Sequence, residues 1–77
     1  EHDDAIEYLK KAIEHEFYES CGLLADLYHR GGDIKKALEY AYLGCVNNQY
    51  DAMYFLSDYY FTSLVKKKII VKRLKSI

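Results

Sequence analysis

Apolar residues recur at helical spacing along most of the chain, and polar or glycine-containing breaks interrupt them. Between residues 23 and 44, Leu23, Leu24, Leu27 and Tyr28 form one stripe, and Ile34, Ala37, Leu38, Ala41 and Cys45 carry a second. Both have the period of an amphipathic helix. Gly31 and Gly32 lie between them, and glycine accepts the positive φ that closes a helix. Asp33 follows, where an N-cap carboxylate takes the free N–H groups of the next helix. Small residues at Ala25, Ala37, Ala41 and Gly44 let two helices approach closely. This stretch predicts an antiparallel helical hairpin.

The same reading extends in both directions. A first helix, capped by Asp3 or Asp4, runs to about Glu16 with Ile6, Leu9, Ile13 and Phe17 on its apolar side. A second runs from about Tyr18 to His29 and a third from Asp33 to about Val46, where Asn47 and Asn48 end it. A fourth runs from about Tyr50 to Phe61. The stretch 62–77 places Ile70, Leu74 and Ile77 on one helical face and Lys68, Lys72 and Lys75 on another, so a separate fifth helix is expected. Its β-branched Ile69, Ile70 and Val71 would also suit a strand. The expected core contains Leu24, Tyr28, Leu38, Ala41 and Leu56.

Sliding the chain by 32 positions superposes Ala5 on Ala37, Glu7 on Glu39, Tyr8 on Tyr40, Tyr18 on Tyr50, Leu24 on Leu56, Asp26 on Asp58 and Tyr28 on Tyr60. A fixed period of one hairpin is the sequence signature of a solenoid. Two domains of organisation follow: a repeat segment over 1–61 and a basic C-terminal helix or tail over 62–77. The first helix is the second half of a hairpin and the chain begins without Met, so a portion of a longer array is expected. Tyr8, Tyr28, Tyr40 and Tyr60 recur with the period and are read as packing residues. Tyr18, Tyr42, Tyr50 and Tyr54 are candidates for exposure, and tyrosine is a favoured contact residue at binding surfaces.

Charge divides the chain unevenly. All twelve acidic residues lie between Glu1 and Asp58, whereas residues 61–77 hold Lys66, Lys67, Lys68, Lys72, Arg73 and Lys75 and no acid. These cations are either the solvated face of a terminal helix or a patch for nucleic acid, anionic membrane or an import factor. No aromatic residue is interleaved with the lysines, which argues against single-strand stacking. Cys21 and Cys45 have neither metal spacing nor a disulfide framework and read as small apolar residues, favouring a reducing intracellular compartment. The histidines His2, His15 and His29 form no ligand pair, and no glycine-rich phosphate loop is present. No residues converge as a catalytic, cofactor or metal site, so a non-enzymatic protein is expected.

Residues 24–44 resemble a tetratricopeptide repeat, with Leu24-Ala25, Tyr28, Gly32, Ala37 and Gly44 at that family's packing positions. Ala5–Tyr28 and Ala37–Tyr60 are closer to the Sel-one-like repeat of the same superfamily, although Ala25 and Ser57 replace its glycine, and Tyr8 and Tyr40 stand for its usual Trp. The turn at Arg30–Asp33 is tetratricopeptide-short. The resemblance implies an all-α fold, a right-handed α-solenoid of antiparallel helical hairpins with about two repeats, acting as a protein–protein adaptor or scaffold. Its partner face would be lined by Glu19, Asp26, His29, Arg30, Asp51, Tyr54, Phe55 and Asp58. Such a face would take a basic or basic–apolar protein or peptide rather than an acidic chaperone tail. Exposed repeat ends would also allow a homo-oligomer. The alternative is a basic-tailed protein associated with nucleic acid or anionic membrane through Lys66 to Lys75.

Overall fold

The computed structural model describes residues 2–76. Four helices follow one another: α1 (His2–Glu14), α2 (Ser20–Arg30), α3 (Ile34–Val46) and α4 (Tyr50–Lys75). No strand occurs among the described residues, so the fold is all-α.

The three turns are built alike. Glu16, Gly32 and Asn48 are left-handed, with φ of 66°, 89° and 63°. In each turn the following N–H reaches back to a carbonyl of the finished helix: Phe17 to Ala12, Asp33 to Tyr28 and Gln49 to Gly44, all at 2.9 Å. The left-handed residue itself donates to Ile13, His29 or Cys45 in turn. This pair of bonds satisfies carbonyls that the end of a helix leaves free. Gly32 and Asn48 tolerate the conformation, whereas Glu16 holds it against the Cβ clash that disfavours L-residues there. Gly31 is right-handed at φ −80°, so one glycine of the pair serves the turn. The Asp33 carboxylate accepts from the Lys36 N–H at 3.2 Å, the cap expected for α3. Asp3 and Asp4 lie inside the first turn of α1, where carboxylates complement the helix dipole.

Packing centres on α2, which touches α1, α3 and α4, while α3 also touches α4. The core is made of small residues: Cys21, Leu24, Ala25, Ala37, Ala41 and Ala52 are fully buried, and Leu9 joins them from α1. Gly44 marks the closest approach. A Cβ there would collide with the Cβ of Ala52 and stand 2.9 Å from that of Cys21, so α2, α3 and α4 converge on a position without a side chain. Tyr28, Leu38 and Leu56 are half-buried, at the rim of the expected core.

Several sequence expectations fail for positional reasons. Leu23 is 55% exposed because its neighbour Leu24 takes the inward direction. Tyr28 and Tyr40 do pack, stacked at 5.7 Å with an interplanar angle of 7°. Tyr8 and Tyr60 are 76% and 45% exposed, since no helix among the described residues covers them in the same way. Phe17 is also exposed, being the first residue past the α1 turn. The separate fifth helix is absent: α4 is one 26-residue helix that runs through Phe61 and Thr62 without a break, and residues 62–75 form no strand. The left-handed residues fall at equal intervals, and the next interval ends at Leu64. A γ-branched residue followed by Val65 is a poor left-handed stop, so the helix propagates. Residues 61–76 are all exposed, and Ile77 lies outside the described residues. No helix is long and apolar enough to cross a membrane among the described residues.

Leu24→Ala is expected to cost about 2–5 kcal/mol in a urea titration, because a fully buried leucine leaves a cavity that its alanine neighbours cannot fill. An unchanged midpoint would contradict the packing. Glu16→Gly should raise stability by about 1 kcal/mol, by relieving the left-handed strain at the first turn. Gly at the right-handed position 14 should be destabilising in the same assay.

Candidate functional site

A groove lies between α2 and α4. Gly22 sits against Asp51, where an added Cβ would come within 2.7 Å of the Asp51 Cβ, and this contact draws the first turn of α4 onto α2. Further along, the His29 ring stands nearly perpendicular to those of Phe55 and Tyr59, at centroid distances of 5.7 and 6.0 Å. The two helices therefore run in the same direction, side by side. Asp51, Tyr54, Phe55 and Asp58 share one face of α4 by their helical spacing. With Gly22, Leu23 and Asp26 they line a groove of about 360 Å³.

Five residues proposed from sequence for a partner face thus come together: Asp26, Asp51, Tyr54, Phe55 and Asp58. The other three are placed differently. Arg30 pairs with Asp26, its Nε 3.0 Å from Oδ2, and offsets that carboxylate's charge. His29 stands at the far end of the groove, beside a second recess of about 240 Å³ formed with Asp58, Tyr59, Thr62, Ser63 and Lys66. Glu19 is exposed ahead of α2 and does not line the groove. Asp51 and Asp58 are exposed and make no ion pair among the described residues. The ladder of carboxylates is therefore unequal: one is neutralised by its neighbour and two face outward free.

The groove floor has apolar and aromatic character. Leu23 contributes the side chain that the core leaves out. Tyr54 is 75% exposed, and Phe55 is half-buried and lies nearly parallel to Tyr59 at 6.5 Å. Sequence reading placed Leu23 in the apolar stripe with Leu24, Leu27 and Tyr28, gave it no part in a groove, and overlooked Gly22. A glycine inside a helical pattern, here in the first turn of α2, was the available signal, since it often has a packing reason. Tyr59, Thr62 and Ser63 carried no comparable signal.

Lys66, Lys67, Lys68, Lys72, Arg73 and Lys75 are exposed on the projecting part of α4. At 100° per residue they point around the helix rather than along one side. Lys67, Lys68, Lys72 and Lys75 flank Leu64 and Val71, but this strip belongs to one helix and has no facing wall among the described residues. No group of three or more His, Cys, Asp or Glu able to hold a metal occurs among the described residues. Burial raises the Cys21 thiol above its ordinary range, whereas Cys45 is half-buried and free. Comparison with protein-family models, curated proteins and solved structures yields no match to this chain.

The two thiols should react at different rates. Cys45 is expected to react with a disulfide reagent in the native protein, while Cys21 reacts at the rate of unfolding. Because the raised Cys21 value keeps the thiol neutral, its contribution to stability is complete below the ordinary thiol range and is lost as pH climbs through the raised value. Equal labelling rates in native buffer would contradict the burial of Cys21.

Proposed function

We propose that this chain is part of a helical-hairpin solenoid of the tetratricopeptide and Sel-one-like type, and that its α2–α4 groove docks a basic, partly apolar peptide or protein surface. The hairpin reading is supported by the turns. α1 and α3 have bounds that coincide after a shift of 32 positions, and so do the hydrogen bonds that close them. The packing of α2 on α4 as well as on α3 fits helices that stack in register with their counterparts. In this reading the protein is a non-enzymatic adaptor, and the groove is its contact surface.

The observation that carries the partner's chemistry is the pair Asp51 and Asp58 on either side of Tyr54 and Phe55. Two turns of helix separate the carboxylates by roughly 10 Å. An extended peptide rises about 3.3 Å per residue and alternates its faces, so basic side chains four residues apart share one face at roughly 13 Å, a span that flexible lysine stems close to the two carboxylates. The residue midway between them faces the same way and would rest on Leu23, Tyr54 and Phe55. The exposed face of Tyr54 also suits a cation, which aromatic rings attract. An acidic tail would be repelled by the same two carboxylates.

Titration of a peptide with lysines four residues apart around a central leucine, followed by calorimetry, tests this reading. Asp51→Asn with Asp58→Asn should weaken binding several-fold and flatten its dependence on salt, since exposed charge pairs are each worth about 0.2–1 kcal/mol. Asp26→Asn should have the smaller effect, because Arg30 already partners Asp26. Equal binding by the double variant at low salt would refute the groove as a basic-peptide site.

A further inference from the structure

We infer that α1 and α4 of this chain carry complementary faces, so that α4 of one copy docks on the outer side of α1 of a second copy, as α2 docks on α3 within a copy. The inference rests on the hairpin reading above. Its template is visible inside the molecule. In the α2–α3 pair, Cys21 lies against Gly44, Tyr28 stacks on Tyr40, and the Lys36 ammonium sits 5.5 Å from the centre of the Tyr28 ring. Ala25 and Ala37 are fully covered there.

Moving each partner by 32 positions, forward from α2 and back from α3, gives the two corresponding faces. On α4 the counterparts of Cys21, Leu24, Ala25 and Tyr28 are Met53, Leu56, Ser57 and Tyr60. On α1 the counterparts of Ala37, Tyr40, Ala41 and Gly44 are Ala5, Tyr8, Leu9 and Ala12. Of these counterparts Ala5, Tyr8, Ser57 and Tyr60 are exposed, Ala12, Met53 and Leu56 are half-buried, and Leu9 is buried. Tyr8 is 76% exposed and Tyr60 45%. The Tyr60 hydroxyl is hydrogen-bonded to that of Tyr42, which holds its ring in place on α4. Docking would stack Tyr60 of one copy on Tyr8 of the next. Leu9 is already buried within its own copy, and Met53 is larger than the Cys21 it replaces, so these helix axes stand further apart than in the template.

Charge favours the same arrangement. The antiparallel register places Asp4, the counterpart of Lys36, beside Tyr60. Asp3, Asp4 and Glu7 are exposed on α1, and Lys66, Lys67 and Lys68 stand two turns beyond Tyr60 on α4. That is roughly 10 Å along the helix, within about one Debye length at moderate salt. The projecting basic half of α4 thus meets the acidic start of another copy's α1. Because the two faces differ, the contact is heterologous and does not close on itself at two copies.

Sedimentation equilibrium across the micromolar to millimolar range tests the inference. The chain should gain mass with concentration, pass beyond a dimer, and dissociate as salt rises. Ala5→Arg and Ser57→Arg each place a charge on one face at an exposed position, so circular dichroism should stay helical. Each variant alone should associate more than about tenfold more weakly, since the arginine would have to be desolvated. An equimolar mixture of the two should form a dimer that grows no further, because each supplies the face the other lacks. A wild-type chain that stays monomeric overturns the inference and leaves the two faces to some other occupant. A closed dimer that survives either substitution overturns it as well. The Ala5→Arg variant keeps the α2–α4 groove, so loss of basic-peptide binding in that variant would count against the groove and not against the contact between copies.

Discussion

Everything in this molecule is arranged around the approach of three helices to Gly44. With no side chain at that position, Ala52 and Cys21 reach the α3 backbone from two sides. A methyl group would force the helices apart, and overpacking of a tight site costs about 1–3 kcal/mol. The small residues nearby follow from the same constraint. Ala25, Ala37, Ala41 and Ala52 have no exposed surface because large side chains would not fit between axes so close.

Close packing of small residues has a consequence for stability. Burial of alanine and cysteine removes less apolar area from water than burial of leucine, and the hydrophobic contribution scales with that area. Leu24 is the one large aliphatic side chain among the described residues that is completely enclosed. The helices hold together through many short contacts and three well-bonded turns, not through a wide apolar centre. Large apolar groups such as Tyr8, Phe17, Phe61 and Leu64 are left at the surface, at the two ends and along α4.

The groove and the ends inherit their positions from the same packing. Gly22 brings Asp51 close to α2, and this turns Tyr54, Phe55 and Asp58 toward Leu23. The resulting surface carries acid over an aromatic and apolar floor, while the opposite charge is collected on the half of α4 that extends beyond the packed helices. A chain with a near-neutral total therefore presents two strongly different surfaces.

The local structure of this protein was determined by its sequence. Gly32 and Asn48 close helices because their backbones tolerate a left-handed residue, and Asp33 caps the next helix because its side chain is short enough to reach the Lys36 N–H. Such effects act over three to five residues, so periodicity and turn chemistry alone expose them. The small residues of the hairpin core were legible for the same reason, and so was the set Asp26, Asp51, Tyr54, Phe55 and Asp58, which helical spacing aligns. The tertiary structure decided the rest. Whether Leu23 faced the core or the groove depended on which side of α2 received α4. Whether Tyr8 and Tyr60 were covered like Tyr40 and Tyr28 depended on the presence of a neighbouring helix. Whether Arg30 faced a partner or Asp26 was a choice between two exposed geometries of similar energy. The continuation of α4 past Phe61 was likewise settled by weak differences between helix and strand preference, which a helix already nucleated at Tyr50 resolves in its own favour.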